Sequence, residues 1–331
     1  MGAFFLTGAL VLLLSVPAIA QEGSPVNVIG YPPDNGSKLP FYLALEAGIF
    51  KKNGLAVSFK DPGSNDNLLK SMGDGEADIY IASVPHVVGN KMKGGGDLVI
   101  AANTGYNYFK FMVHPSIAKA EDLRGKKVGT GRKGSGRDLI TRIVLKKLGV
   151  DPEKDVMLVP YDGETLSRVV ALTSGEVVAA SVTSEGMFML EKSGEAKKLR
   201  VLTDYKTLGL YAGGGADYAV AAIFLRRARD KAKQFLRSIA EAIALARKEK
   251  NRAMEILGKT MRITDPALLD FVYRVYVGEV IPAIPSPKIE SIELALEMAG
   301  AQARGIKAQE LIDPTLVQEL EKEGLFDRLY R

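Results

Sequence analysis

The chain repeats one pattern of strand, glycine loop, helix and Gly-Glu turn after an interval of one hundred residues, at 59–83 and again at 159–183. Each copy ends in an apolar strand that is closed by a hydroxyl residue, Ser83 in the first and Thr183 in the second. Two similar α/β units favour two lobes, although an α/β chain can also repeat this pattern by chance. Because ligands bind outside the carboxyl ends of strands in α/β sheets, two facing lobes would form a ligand cleft.

Length and composition are those of a folded protein with room for two cores. The chain has 331 residues, of which 47% are apolar and 25% are charged. The formal net charge of +5 is spread along the chain, and no basic stripe with interleaved aromatic residues is present. We therefore expect no nucleic-acid partner.

The first twenty residues carry no charge and predict a signal peptide. The segment from Phe4 to Val16 is almost wholly apolar, and Pro17 and an Ala-Ile-Ala triplet follow it, which suits cleavage near Ala20. A membrane anchor is the alternative, but a spanning helix needs about 20 apolar residues and Pro17 shortens this run. Removal of residues 1–20 would leave a soluble protein in the periplasm or otherwise secreted.

The chain contains no cysteine, which excludes several classes of site. A disulfide framework, a zinc site built from cysteines and a thiol nucleophile all need this residue. A lipid anchor on a cysteine after the signal peptide is excluded for the same reason.

Strands alternate with helices in both units, which indicates right-handed βαβ connections and mostly parallel sheets. Strands are predicted near 26–29, 56–60, 79–82, 98–102, 127–130, 156–159, 178–182 and 199–203, with helices of the first unit near 39–53, 65–73 and 85–92. Two further apolar strands, Phe109 to Val113 and Tyr218 to Phe224, are predicted to cross between the lobes. Lobe one would comprise residues 25–110 and 218–331, and lobe two residues 111–217. From Asp230 the pattern is helical, and this tail is expected to pack on lobe one.

The most informative local stretch is the glycine loop at 123–137. It predicts a short strand, a glycine-rich turn and a helix that begins near Ser135, whose free backbone N–H groups favour an anion. Arg132 and Arg137 add positive charge, and arginine can grip a carboxylate, sulfonate or phosphate group in a bidentate way. Arginines that point to water are the alternative.

The same loop matches the dinucleotide fingerprint, with Gly129, Gly131 and Gly134 at the required spacing and Asp162 as the later acidic residue. This leaves open a secreted, dinucleotide-dependent oxidoreductase, although a single match of this kind is weak. The chain has two histidines, each beside a proline, and no nucleophile with a base near it. We therefore expect no metal site, no cofactor and no enzyme activity.

Polar residues gather where the predicted strands end, as a ligand cleft requires. The candidate ligand-binding residues are Asn35, Ser37, Ser64, Ser83 and Asn103 in lobe one, and Thr130, Arg132, Ser135, Arg137, Tyr161, Asp162 and Thr183 in lobe two. For each residue alone, a helix cap or turn is the alternative role. The chain has no tryptophan, so stacking on a ligand would fall to Tyr31, Tyr106, Tyr161 or Tyr211.

The chain resembles the solute-binding proteins of ABC importers, in the branch for nitrate, sulfonates, taurine and thiamine precursors that is called SsuA/THI5-like. The segments that carry the resemblance are 40–44, 48–50, 54–57, 75–78 and 122–129. The resemblance implies a type 2 periplasmic-binding-protein fold, in which two α/β lobes are joined by two hinge crossings.

It also implies that the protein binds a small polar molecule and delivers it to an ABC permease in the membrane. We expect an anionic organic ligand, such as a sulfonate, a taurine-like compound or a carboxylate, and a monomeric protein. Val177 and Val178 stand where the family keeps an Asp-Ala pair, and Ser83 stands where many members have glycine, so the ligand itself stays open. A ligand-sensing module without transport is the alternative. The lack of cysteine argues against the pyrimidine-forming enzyme of this group.

Overall fold

Ten strands organise the part of the chain that the structure describes. The computed structural model describes residues 25–30, 36–106, 108–133, 136–161, 165–210 and 217–331. The strands are β1 (Val26–Gly30), β2 (Val57–Lys60), β3 (Ile79–Ala82), β4 (Leu98–Asn103), β5 (Lys110–Val113), β6 (Lys127–Gly131), β7 (Met157–Tyr161), β8 (Ala179–Val182), β9 (Arg200–Asp204) and β10 (Asp217–Ala221). The helices are α1 (Leu39–Glu46), α2 (Ile49–Lys52), α3 (Asn65–Asp74), α4 (Val84–Met92), α5 (Gly136–Lys147), α6 (Thr165–Thr173), α7 (Ser184–Lys192), α8 (Ala222–Lys248), α9 (Lys250–Met261), α10 (Pro266–Val275), α11 (Ile289–Ala299), α12 (Thr315–Lys322) and α13 (Leu325–Tyr330). The predicted signal peptide lies outside the described residues.

The described strands form two sheets with the same strand order. Sheet one runs β2-β1-β3-β10-β4, and sheet two runs β7-β6-β8-β5-β9. In each sheet four strands share one direction and a single strand is antiparallel, β10 in sheet one and β5 in sheet two. The predicted two-lobed α/β fold with mostly parallel sheets and flanking helices is confirmed. We call sheet one with the helices that pack on it lobe one, and sheet two with its helices lobe two.

The antiparallel strands lie where the chain passes between the sheets. The chain leaves sheet one after β4 and enters sheet two with β5, then leaves sheet two after β9 and returns with β10. The pairing of strands also repeats after one hundred residues. Val28 pairs with Ile79 between β1 and β3, and Val128 pairs with Ala179 between β6 and β8. The sequence repeat therefore corresponds to two equivalent halves of the fold.

Two predicted elements differ from the structure. The helix expected at 39–53 is divided into α1 and α2, because Gly48 takes a left-handed backbone conformation (φ +70°) that ends a helix. The strand expected to reach Phe224 ends at Ala221, and a short helical segment begins at Ala222. Non-helical backbone angles at Ala228 (φ −147°, ψ 43°) separate this segment from the long part of α8, which begins beside Asp230 as predicted. An apolar run of this length suits a buried strand or a buried helix turn equally well, so its periodicity alone does not separate them.

The core of lobe one is built on aromatic side chains. The rings of Phe50 in α2 and Phe235 in α8 stack with centroids 4.9 Å apart, and Tyr218 of β10 lies 5.8 Å from Phe235. The C-terminal tail closes this core, since the backbone N–H of Asp313 donates to the carbonyl oxygen of Ile100 in β4 over 3.0 Å. The tail thus packs on lobe one as expected.

The tail also contacts lobe two, which the sequence did not indicate. Helix α10 packs against α7, where the rings of Phe188 and Phe271 lie 5.6 Å apart. Beside them, Lys192 Nζ is 3.0 Å from Asp265 Oδ2. The lobes are therefore joined by this α7–α10 contact in addition to the two crossings.

Candidate functional site

The carboxyl edge of sheet one, where β1 to β4 end and antiparallel β10 begins, is centred on a buried carboxylate. Asp217, the first residue of β10, is 3% exposed. Its Oδ1 accepts a 2.7 Å hydrogen bond from Asn103 Nδ2, and its Oδ2 accepts a 3.2 Å bond from the backbone N–H of Val84. Burial raises the pKa of Asp217 to about 7, although both hydrogen bonds favour the ionised form. Asp217 ties the returning strand to the end of β4 and the start of α4.

Asn103 and Ser37, two predicted site residues, meet at this edge. Asn103 Oδ1 accepts a 2.9 Å bond from the N–H of Gly105, and Thr104 Oγ1 donates over 2.9 Å to the carbonyl oxygen of Ser37. Gly105 has φ +148°, and a Cβ added there would lie 2.8 Å from the Cβ of Ser37. Because Ser37 and Asn103 are both buried, this corner is closely packed.

Ser83 lies at the same edge and contacts a half-buried histidine. Its Oγ is 2.8 Å from His86 Nδ1, and its backbone N–H donates to the same nitrogen over 3.3 Å. Burial lowers the pKa of His86, and the nearby ammonium group of Lys38 lowers it further. Lys38 is itself buried, so lobe one holds a positive charge beside this neutral imidazole.

Two other predicted site residues stand directly before helices. Ser64 is exposed and caps α3, since its Oγ accepts a 3.2 Å hydrogen bond from the N–H of Asn67. Thr183 precedes α7 but makes no such cap. Its Oγ1 instead donates to Glu185 Oε2 over 2.8 Å, so the residues that start α3 and α7 are bonded differently.

In lobe two the predicted residues lie on both sides of the β6–α5 loop. Thr130 is buried in β6 and donates through Oγ1 to Asp138 Oδ1 over 3.2 Å, while Arg142 Nε donates to the other oxygen of Asp138 over 2.9 Å. These bonds hold the start of α5 against β6. Arg132 follows β6 and Arg137 lies in the first turn of α5, and both are exposed.

Tyr161 ends β7, but its side chain is turned back across the sheet. The ring passes close to Gly129 in β6, and the hydroxyl donates to Glu176 Oε1 over 2.8 Å. Burial and the Glu176 carboxylate raise the pKa of Tyr161 to about 12. Glu176 lies in the turn before β8, at the opposite edge of sheet two, which places this hydroxyl away from the carboxyl edge.

The remaining candidates cannot be placed in the same way. Asn35, Ser135 and Asp162 lie outside the described residues, as do Gly134, Tyr31 and Tyr211. Tyr106 is buried beyond the end of β4.

The described part of the chain does not have the structure that a dinucleotide-binding fingerprint requires. The fingerprint needs its first glycines in the turn after a strand. Gly129 and Gly131 instead lie inside β6, and a Cβ at Gly129 would approach Val177 Cγ2 to 3.3 Å. Gly129 therefore allows close packing within lobe two.

Five charged residues are buried in the described part of the chain, and none of them was among the predicted site residues: Lys38, Asp78, Asp138, Arg168 and Asp217. Asp217 is the charged residue of an apolar run that follows three glycines, and Arg168 shares the apolar side of α6 with Val169 and Leu172. A charge on an apolar face was a usable signal in both cases. Lys38 lies in a polar loop and offers no comparable signal.

Within the described ranges, two kinds of feature are absent. No group of three or more His, Asp or Glu side chains could hold a metal ion there. No helix there combines the length and the apolar character that crossing a bilayer requires.

Known proteins share this fold over most of their length. The chain is 16% identical to the periplasmic sulfonate-binding protein SsuA from Methylobacillus flagellatus KT, with a TM-score of 0.71 over 92% of this chain and 96% of that one. Against the periplasmic aliphatic sulphonate binding protein SsuA from Escherichia coli, the identity is 19% and the TM-score 0.67, over 89% and 100% of the two chains. The desulfurization enzyme DSZB is also similar, at 13% identity and a TM-score of 0.59 over 90% and 99%, so the fold alone does not separate binding from catalysis.

Sequence comparison identifies the family. YtlA of Bacillus subtilis (strain 168), named as a binding protein, is 26% identical over 197 residues, a match that spans 58% of this chain and 58% of that relative. The model of the family described as NMT1/THI5 like matches residues 35–253, about two thirds of the chain. The chain therefore belongs to the NMT1/THI5-like family.

Proposed function

We propose that this protein is the extracytoplasmic solute-binding component of an ABC importer. It binds a small anionic organic molecule, such as a sulfonate, a taurine-like compound or a carboxylate, between the carboxyl edges of its lobes and delivers it to a membrane permease. Lobe one comprises residues 25–110 and 218–331, and lobe two comprises residues 111–217. The protein works as a monomer after removal of residues 1–20, without a lipid anchor.

The observation that carries this proposal is the pair of sheets with one strand order, joined by two crossing strands, in a member of a family of mainly binding proteins. Each crossing gives the lobes a place to turn relative to each other. A ligand held by one edge and then bridged to the other would shift the balance between open and closed states. The names of the similar SsuA proteins support a sulfonate as the first ligand to test.

Positive charge at the start of α5 supports an anionic ligand. Arg132 and Arg137 flank the β6–α5 loop, and the first backbone N–H groups of a helix favour negative charge. On the facing side, Ser83 offers a hydroxyl at the edge of lobe one. A micromolar dissociation constant corresponds to about −8 kcal/mol, which a few charge-assisted hydrogen bonds can supply.

A thermal-shift panel of sulfonates, carboxylates, nitrate, amines and pyrimidines tests the proposal on the mature chain. At one hundred times its dissociation constant, a true ligand stabilises the folded state by about 2.7 kcal/mol. Small-angle scattering should then report a smaller radius of gyration with the ligand than without it. Turnover of any compound, or dimensions that stay the same with every ligand that binds, would contradict the proposal.

Substitutions then test the lobe-two assignment. Arg132→Ala and Arg137→Ala should each weaken an anionic ligand about tenfold, or about 1.4 kcal/mol. Arg124→Ala is the matched control, because Arg124 is exposed and pairs with Asp155. Unchanged affinity in both test variants would reject the placement of the anion at α5. A sensor rather than an importer subunit would be indicated if the protein captured a membrane partner that is not a permease.

A further inference from the structure

Lobe two buries an arginine that nothing in the described chain neutralises. Arg168 lies in α6 and is 2% exposed, and its Nη1 has no hydrogen-bond partner within the described residues. Arg142, by contrast, forms an ion pair with Asp138. A buried charge without a partner costs free energy. Proteins therefore keep such a group where a ligand or a neighbouring residue neutralises its charge.

The position of Arg168 suits a ligand. Helix α6 follows β7 and α5 follows β6, so both helices start at the carboxyl edge of sheet two. Helix α6 also packs against β6 and β8. Ser184 lies at the same edge, at the start of α7 after β8, and its buried Oγ has no partner among the described residues. Arg168 and Ser184 therefore lie on either side of the end of β6, from which the chain leads into α5.

A second guanidinium lies nearby. Burial and, to a smaller extent, the positive charge of Arg137 lower the pKa of Arg168 to about 10. At neutral pH Arg168 is still protonated, so two like charges are held at one edge. That arrangement is unfavourable in the absence of a negative group and favourable in its presence.

We propose that Arg168, together with Ser184 on the other side of the end of β6, binds the oxyanion group of the ligand and that this buried guanidinium selects an anionic ligand over a neutral one. The inference rests on the proposed function, and it assigns the selection to a residue beneath the edge instead of to the exposed Arg132. The planar fork of a guanidinium fits two oxygens of a sulfonate, a carboxylate or a phosphate. A lysine at this position would supply the charge but not the bidentate fit.

The test compares Arg168→Met with Arg124→Met, using methanesulfonate, acetate, methyl phosphate and taurine as probes on the full mature chain. Calorimetry measures each affinity, and thermal denaturation measures stability without ligand. We expect Arg168→Met to weaken the best-bound anion at least tenfold, while Arg124→Met binds it as the wild type does. The melting temperature of ligand-free Arg168→Met should equal or exceed that of the wild type, because an unneutralised buried charge is removed. The best-bound probe identifies the oxyanion group.

The results that would contradict the proposal distinguish a failure of the proposed function from a failure of the role given to Arg168. A wild-type protein that binds none of these probes or the wider panel would contradict the proposed function itself. A wild type that binds an anion, with an Arg168→Met variant that binds it within twofold, would overturn the role of Arg168 alone. If the melting temperature of Arg168→Met falls clearly, or if that variant does not fold, Arg168→Lys decides: affinity weakened at least threefold supports the fork, and unchanged affinity overturns it.

Discussion

At the corner where the antiparallel strand enters each sheet, the two lobes place opposite charges. Asp217 begins β10 and stands in register with Asn103, whereas Lys110 begins β5 and stands in register with Asp204. Asp217 is buried with both oxygens hydrogen-bonded, and Lys110 is half-buried. Equivalent strand positions thus carry a buried acid in lobe one and a partly solvated base in lobe two.

Strand order thus fixes where a side chain stands, while its surroundings decide what it can do there. In lobe one, Asp217 and Asn103 are bonded to each other and to the backbone, so that corner has little polar capacity left for a ligand. In lobe two, the buried donors of Arg168 and Ser184 have no partner within the described chain. Lobe one therefore offers a rigid edge, and lobe two offers unmet positive charge.

The stability of lobe one should depend strongly on pH. Burial raises the pKa of Asp217 from 3.8 to about 7, so the folded state holds a proton that the unfolded chain releases. Its contribution to the free energy of unfolding is full below about pH 4 and falls by up to about 4 kcal/mol as the pH rises from there to about 7. Urea denaturation at pH 4, 5, 6, 7 and 8 measures this loss.

Asp217→Asn separates this effect from the others. His86 contributes with the opposite sign, because its pKa is lowered, and its contribution cancels when the variant is compared with the wild type. The stability of wild type minus variant should fall steadily from pH 4 to pH 7. A difference that stays constant would mean that Asp217 is ionised throughout and that the contrast between the two corners is wrong.

The next effect concerns the packing of the lobe-one edge. Gly105→Ala should destabilise the protein by about 3 kcal/mol, because alanine strains a backbone at φ +148° and its Cβ would press on Ser37. Gly209→Ala is the control between β9 and β10, where φ is +61° and nothing lies within 4 Å of an added Cβ. That change should cost about 1 kcal/mol. Equal losses in chemical denaturation would refute the closer packing assigned to lobe one.

The smallest effect compares two positions that are one hundred residues apart. Ser83→Ala should destabilise the protein by about 1 kcal/mol, since it removes the contact between Oγ and His86 at the start of α4. Thr183→Ala should cost less than about 0.5 kcal/mol, because the hydrogen bond that Thr183 Oγ1 donates goes to the half-exposed Glu185 side chain. Melting temperatures of the two variants check the order, and a larger loss at Thr183 would reverse it.

Much of the fold could be predicted from the chain because its signals are local. Apolar runs bounded by glycine loops placed the strands, and the repeat at 59–83 and 159–183 indicated two equivalent units. The end of β10 was misplaced because the spacing of an apolar stretch such as 222–225 does not show whether it is extended or helical. The divided first helix depended on the left-handed conformation of Gly48, which the residue allows but does not require.

The site was less accessible to prediction, because its bonds join distant parts of the chain. Asp217 and Asn103 are 114 positions apart, and the sequence gives no indication of that pairing. The direction of a side chain was equally hidden: Tyr161 stands at the end of β7, yet its hydroxyl reaches the turn that contains Glu176. Arg168 is the exception, since a charge on the apolar side of a helix can be recognised from spacing alone.

The α7–α10 contact has a mechanical consequence. Two lobes joined by two crossings alone can rotate freely relative to each other. A third connection on one side permits only those rotations that keep the two lobes in contact on that side. The flat rings of Phe188 and Phe271 tolerate sliding at little cost, and the exposed Lys192–Asp265 pair can exchange its partner for water. Relative movement of the lobes should therefore be a rotation about the α7–α10 contact. The lobes should separate first on the side that lies away from this contact.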